Sequence, residues 1–150
     1  MKPIRAFRRL LFRLEVWLGL AWARFCTKFL PFRFWRAALG PIGEEPDAHA
    51  HARLSEAQLK QARDSGRIIA RVAGRAWFEA VCLPQAMCGR WVLARRGIPS
   101  RVVIGSGHGD EEEGPLFHAW LMVGECVVTG AAERDAFLAF RRSGAVQDAG

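Results

Sequence analysis

The chain has 150 residues and a mass of 16.8 kDa, which limits it to one compact domain with at most a helical extension. Hydrophobic residues make up 51% and charged residues 25%, a balance that excludes a disordered or collagen-like chain. The net charge of +7 is unevenly spread: residues 1–40 carry nine Lys or Arg and one acid, Glu15, and the other 110 residues sum to −1. The basic character therefore belongs to the N-terminal segment, and an acidic surface is its expected partner.

Cysteine use is sparse, and none of the four thiols belongs to the close pairs of a secreted disulfide scaffold: Cys26, Cys82, Cys88 and Cys126. Zinc-binding cysteines usually have two to four residues between them and zinc-binding histidines three to five, whereas Cys82 and Cys88 have five between them and His49 and His51 have one. We therefore expect no metal and no cofactor. The reducing cytoplasm is the expected location, and association with the inner face of the membrane is an alternative.

Residues 4–29 have the periodicity of an amphipathic helix of about seven turns. Large apolar side chains share one arc of the helical wheel: Ile4, Phe7, Leu11, Leu14, Leu18, Trp22, Phe25 and Phe29. Arginines occupy the opposite face: Arg5, Arg8, Arg9, Arg13 and Arg24. The longest uncharged run, residues 16–23, is much shorter than the ~20 residues that cross a bilayer, so a transmembrane helix is excluded.

Two interpretations of this helix stay open. In the first, the apolar arc packs on the domain or on a partner helix, and the arginines are solvated. In the second, residues 1–36 lie on an anionic membrane surface with Trp17 and Trp22 at the headgroup level. Nucleic acid is not an expected partner, because the basic residues adjoin an apolar face and no recognised nucleic-acid motif occurs.

The next part of the chain predicts a boundary followed by two helices. Pro31 and the Gly- and Pro-rich residues 40–47 interrupt the helical pattern, which predicts a helical extension over 1–40 and a domain over 48–150. Ser55 and Gln58 have the spacing of a capping box, and the apolar face that follows continues to about residue 80, with Gly66 as a break or a weak point. A second helix is predicted from Cys82 to the Arg-Arg-Gly of residues 95–97.

After Pro99 the periodicity changes from helix to strand. Strands are predicted over 101–105, 117–123 and 126–129, with an acidic loop over 106–114 between the first two. The short connection at 123–125 predicts an antiparallel hairpin. Helices followed by a sheet predict an α+β fold.

Cys82 is chemically suggestive because it stands where a helix begins. Free N–H groups and the positive end of the helix dipole favour a thiolate there, and the N–H groups of Cys82 and Leu83 could bind an oxyanion. A small buried hydrophobe is the alternative role. His118 on a predicted strand is the candidate base, whereas His108 in the acidic loop is expected to be solvated.

Three blocks of the sequence occur in the order found in the transglutaminase-like leader peptidases of lasso-peptide biosynthesis. They are CLPQA at residues 82–86, LARRGIPSRVVIG at 93–105 and FHAW at 117–120, and LPFR at 30–33 resembles that family as well. The resemblance covers most of residues 25–130. It implies a papain/transglutaminase-like cysteine peptidase core, with Cys82 as the nucleophile and His118 as the base.

The same resemblance implies an activity and partners. Such peptidases cut the leader from a ribosomally made precursor peptide, and a separate ATP-dependent cyclase then closes an isopeptide ring. In the split form of the family, a small winged-helix protein binds the leader. The chain has no room for that module beside the peptidase, so the resemblance is to the stand-alone, split form.

The third catalytic group is left open. Members of the family often carry an aspartate on the strand after the histidine, and here that position is Gly130. Asp135, Glu133, a backbone carbonyl or no group at all are the alternatives. Gln85 also matches a family position, with a helix-surface role as its alternative. Because the aspartate is missing, a non-catalytic scaffold that presents the precursor to the cyclase is the second hypothesis.

Overall fold

The computed structural model describes residues 2–40, 54–108 and 115–131. Within these ranges four helices come first: α1 (Lys2–Phe29), α2 (Phe32–Leu39), α3 (Glu56–Ala73) and α4 (Cys82–Ala94). An antiparallel sheet follows, with its strands in the order β1 (Arg101–His108), β2 (Pro115–Val123) and β3 (Cys126–Thr129). The predicted α+β arrangement is therefore confirmed.

Helix α3 begins with the predicted capping box. The Ser55 hydroxyl accepts the N–H of Gln58 at 3.2 Å, and the Gln58 side chain accepts the N–H of Ser55 at 3.0 Å. The helix continues through Gly66, where a Cβ would overlap the carbonyl oxygen of Val128, so this glycine lets β3 approach α3 closely. The predicted extension to about residue 80 is wrong, because the chain turns after Ala73 and packs its next apolar residues from a loop.

Helix α4 lies at the centre of the molecule, against α1, α3 and the sheet. On its sheet side, a cluster of buried side chains includes Ala86, Met87, Leu93, Leu121 and Val123. On its other side, a second cluster joins α1, α3 and α4 and includes Val16, Leu20, Ile69, Cys88 and Val92. Both layers of the core therefore share one helix, whose first residue is Cys82.

Helix α1 packs on the domain with a different face from the predicted apolar arc. Its buried residues are Val16, Leu20, Ala23 and Cys26, and a Cβ on Gly19 would lie 2.9 Å from the Cys88 sulfur. The glycine lets the two helices approach closely at this point. From Ile4 to Phe29 the arc is 44–65% exposed, so the interpretation that it packs on the domain is wrong.

Helix α1 also bears on the question of membrane crossing. None of the helices in the described ranges combines the length and the apolarity that a bilayer span needs.

Trp35 of α2 donates its indole N–H to the Leu30 carbonyl at 3.1 Å, which fixes the turn at Pro31. Residues 41–53 lie outside the described part, so the division into 1–40 and 48–150 stays a prediction.

The sheet is longer at one end than predicted. Strand β1 continues to His108 because its last residues pair with the start of β2, for example Ser106 with Phe117. Residues 106–108 therefore belong to the strand and not to the predicted loop, and 109–114 lie outside the described residues. The predicted hairpin is confirmed, and Gly124 adopts a φ of 54° in its turn.

Candidate active site

The first turn of α4 leaves backbone N–H groups uncapped. The residue before the helix, Val81, is extended and provides no side-chain cap. Gln85 is the first residue whose N–H is bonded within the helix, to the Val81 carbonyl at 3.2 Å, and Pro84 has no N–H at all. The amides of Cys82 and Leu83 are therefore the donors at the positive end of this helix, beside the thiol. This is the local arrangement that the sequence predicts.

The Gln85 side chain braces this turn. Its amide donates to the carbonyl of Ala80 at 2.7 Å, and the bond is partly buried. The bond ties the segment before the helix to the second turn and so fixes the direction from which the chain reaches Cys82. From the sequence, Gln85 either matches a position of the family or is an ordinary residue of the helix surface. No local pattern indicates its bond to a carbonyl five residues earlier.

The other thiols differ from Cys82 in their surroundings. Burial and the nearby Glu15 carboxylate raise the pKa of Cys88 to about 12, and burial raises the pKa of Cys26 as well. Cys126 accepts a hydrogen bond from the Arg63 guanidinium at 3.4 Å, which raises the pKa of that arginine. Cys82 is half-buried at the first residue of α4, beside the N–H groups of that turn.

His118 occupies a rigid position on β2. Its side chain is 8% exposed, and its ring stacks on Trp120 with centroids 6.3 Å apart and planes at 25°. Gly105 lies opposite on β1, where a Cβ would come within 2.9 Å of the Trp120 ring. This glycine therefore makes room for the indole that holds the imidazole. The sequence predicts the strand position of His118 but not the stacking.

The elements that carry Cys82 and His118 are neighbours, since α4 packs on β2. A Cβ on Gly89 of α4 would lie 2.6 Å from the Leu121 side chain, so Leu121 faces the body of this helix. Strand alternation places His118 and Trp120 in the other row of side chains. Because the body of α4 faces the row of Leu121, the His118 imidazole can reach the Cys82 thiol only at the end of that helix. This contact stays a prediction.

A side chain at the position of the family's aspartate would be strained. Gly130 adopts a φ of 76°, and a Cβ there would lie 3.0 Å from both the Ala119 carbonyl oxygen and the Trp120 Cβ. The other candidates for the third group, Glu133 and Asp135, lie outside the described residues.

The remaining candidate groups add no metal chemistry within the described part of the chain. His108 ends β1, where it pairs with Pro115, and it is not in a loop. In residues 2–40, 54–108 and 115–131, no three His, Cys, Asp or Glu side chains are grouped so that they could hold a metal ion.

The sequence model of the transglutaminase-like superfamily matches residues 26–142, most of the chain. The chain belongs to the transglutaminase-like superfamily. The matched segment begins near the end of α1 and includes both Cys82 and His118. The superfamily includes cysteine peptidases, and a transglutaminase-like fold is compatible with peptidase or transferase activity. No curated protein and no solved structure is significantly similar to this chain.

Proposed function

We propose that this transglutaminase-like protein is a cysteine peptidase that removes the leader from a lasso-peptide precursor. It works with a winged-helix protein that binds the leader and with a separate cyclase. The observation that carries the proposal is the thiol of Cys82 at the uncapped start of α4. The sequence blocks at 82–86, 93–105 and 117–120, which resemble the leader peptidases, all lie within the superfamily match and support the same function.

The chemistry of the proposed reaction needs two side chains and two amides. The Cys82 sulfur attacks the carbonyl carbon at the leader–core junction, and His118 takes the thiol proton. The N–H groups of Cys82 and Leu83 stabilise the tetrahedral oxyanion. His118 then gives the proton to the leaving amine of the core, and water releases the leader from its thioester with Cys82.

The test is cleavage of the cognate precursor in the presence of the leader-binding partner, followed by intact mass. We expect the wild type to yield separate leader and core masses, and Cys82→Ala and His118→Ala to leave the precursor whole. Cys126→Ala removes a half-buried thiol on β3 and is the matched control, with cleavage retained. Normal cleavage by Cys82→Ala would reject the mechanism.

A non-catalytic scaffold is the second candidate, and Gly130 favours it because the position carries no carboxylate and its backbone conformation would strain a side chain. A scaffold would leave the precursor uncut in every sample, including the wild type. It would still increase the yield of cyclised product, and Cys82→Ala would do so equally well. The same set of samples, with the cyclase added, therefore distinguishes the two functions.

A further inference from the structure

An exposed row of large apolar side chains runs along α1, and its middle part borders a groove between α1 and α4. We refer to this row as the apolar stripe: Ile4, Phe7, Leu11, Leu14, Leu18, Trp22, Phe25 and Phe29. A helix of 28 residues is about 42 Å long, and the stripe covers nearly all of it. Monomeric proteins rarely expose so long a continuous apolar surface, and such surfaces mark interaction sites.

The helix that carries the apolar stripe is positively charged. Glu15, the only acid in residues 1–40, is held by Arg96 at 3.0 Å and Arg95 at 3.4 Å, so its charge is compensated from α4 and its flank. Arg8 and Arg13 are exposed, and within the described residues neither has an ion-pair partner. An apolar surface on a helix with unpaired cations complements an anionic surface.

Aromatic side chains next to the stripe enlarge the same surface. Lys28 lies 5.5 Å from the ring centre of Phe29, and Arg33 of α2 lies 4.8 Å from the exposed ring of Phe34. These cations stay close to the aromatic rings and leave their charged ends accessible, as at membrane interfaces.

The loop after α3 brings one more indole to the side of α1. Phe78 packs edge-on against Trp17 with centroids 5.9 Å apart, and the Glu79 carboxylate binds Arg24 at 2.7 Å. These contacts anchor the loop to α1 and hold Trp77, which is 85% exposed. Exposed tryptophans beside an apolar helix face are typical of proteins that reach the headgroup region.

We propose that α1 is an interfacial helix that docks this protein on an anionic phospholipid bilayer through the apolar stripe. A long apolar face with aromatic residues, on a helix whose polar face is rich in arginine, is the pattern of helices that lie in the membrane plane. The side chains of residues 6–11 are exposed on every face of the helix, so the domain supplies no contact that would stabilise this end. Burial in the headgroup region supplies one.

Docking also sets where the domain sits. Contacts of Glu15 with Arg96 and of Gly19 with Cys88 show that α1 and α4 run antiparallel. Helix α1 would then lie between the bilayer and α4, one helix layer away. The first turn of α4, with Cys82, would lie toward the C-terminal end of α1. This proposal does not depend on whether Cys82 is catalytic.

The test is co-sedimentation of the full chain with phospholipid vesicles. We expect binding to vesicles that contain phosphatidylglycerol, weaker binding at high salt, and little binding to phosphatidylcholine alone. Leu11→Gln with Leu18→Gln keeps helix propensity and removes apolar surface, so we expect the partition coefficient to fall at least ~30-fold. Circular dichroism and thermal unfolding verify that this variant is folded.

Matched charge variants test whether the cations of α1 contribute more to vesicle binding than other exposed cations do. Arg8→Gln with Arg13→Gln should weaken binding about 30-fold, since each cation near an anionic surface contributes to the affinity. Lys60→Gln with Arg71→Gln removes the same charge from the exposed side of α3 and should change binding less than about 3-fold.

Three results would overturn the proposal. The first is no binding to anionic vesicles, and the second is binding that the leucine variant leaves unchanged. The third is a wild-type dimer that the leucine variant dissociates, measured by sedimentation equilibrium without vesicles, together with no vesicle binding. That last result would assign the apolar stripe to a second copy of the chain.

Discussion

Two cysteines of α4, Cys82 and Cys88, have the same side chain but different surroundings. At Cys82 the helix begins, no side chain caps it, and the thiol is half-buried. At Cys88 the sulfur is enclosed, with a contact to the Val16 carbonyl at 3.5 Å, and its pKa is raised to about 12. Position along a helix, and not residue type, thus decides which thiol is available for chemistry.

The middle and the first turn of α4 also have different roles. The middle of α4 joins the two layers of the core through close contacts with α1 and the sheet. The first turn has free backbone donors and a polar brace from Gln85 to Ala80. A rigid helix body therefore supports an open first turn, which is how precise sites are commonly built.

The largest expected effect is a difference in alkylation rate between these two thiols. Iodoacetamide attacks the thiolate, and a thiol with a pKa of about 12 is ionised in only ~1 molecule in 10,000 at pH 8. We therefore expect Cys82 to react at least ~1,000-fold faster than Cys88 in the folded protein. Peptide mapping by mass spectrometry over time measures both rates, and protein unfolded in urea, where the difference should vanish, is the control.

The same measurement near pH 6 examines the proposed pair. If His118 assists the thiol, Cys82 should react faster than Cys126 at this pH, and His118→Ala should remove that advantage. Equal rates at Cys82 and Cys88 in the folded protein would contradict the comparison itself. If the rates are unequal and His118→Ala leaves them unchanged, the first turn of α4 accounts for the reactivity of Cys82, and the His118 imidazole has no part in the mechanism.

The next effect is on stability at alkaline pH. The Cys88 pKa is about 12 in the folded chain and about 9 when unfolded, so between these values the unfolded state loses the proton first. Folding is thus favoured below pH 9, and this contribution is lost as the pH rises. By pH 10 the free energy of unfolding should be lower by about 1.4 kcal/mol.

Urea unfolding at pH 8 and pH 10 measures this loss. Cys88→Ala should make the decrease between the two pH values smaller, even though the substitution lowers stability at both. Cys126→Ala, which removes a half-buried thiol, is the control that should keep the full decrease. An identical decrease in Cys88→Ala and the wild type would show that the Cys88 thiol ionises as freely in the folded state as in the unfolded chain.

The sequence predicts those features that depend on neighbours in the chain. The capping box at Ser55, the helix start at Cys82 and the hairpin at Gly124 are each set by a few consecutive residues, and the structure has all three. The face of α1 was not predictable in this way. The periodicity of its large apolar residues predicts one face, whereas α1 packs on α4 with another, and only the fold brings Cys88 opposite Gly19.

The candidate site divides in the same manner. Its thiol and its uncapped amides follow from the position of Cys82 before Pro84, and the strand that carries His118 follows from local alternation. The stacking of Trp120 over His118 requires Gly105 from another strand, so no local pattern shows it. The close surroundings of Gly130 likewise depend on residues of β2, a different strand.

The smallest expected effect concerns the brace of the first turn. Gln85→Leu keeps the size of the side chain but removes the donor to the Ala80 carbonyl, and we expect the free energy of unfolding to fall by about 1 kcal/mol. Gln61→Leu changes an exposed glutamine of α3 and is the matched control, with little expected change. Urea unfolding of both variants measures the difference.

A purely structural brace would lower stability and leave the thiol alone. If Gln85 also positions the amides around Cys82, alkylation of Cys82 should slow by about 3-fold in Gln85→Leu while the rate at Cys126 stays constant, because a less ordered first turn holds its donors less well. The ratio of the two rates within one sample cancels differences in reagent and folding. If the ratio is unchanged and the stability is reduced, Gln85 stabilises the fold only. The geometry of the first turn would then be set by Pro84 and the backbone of Val81.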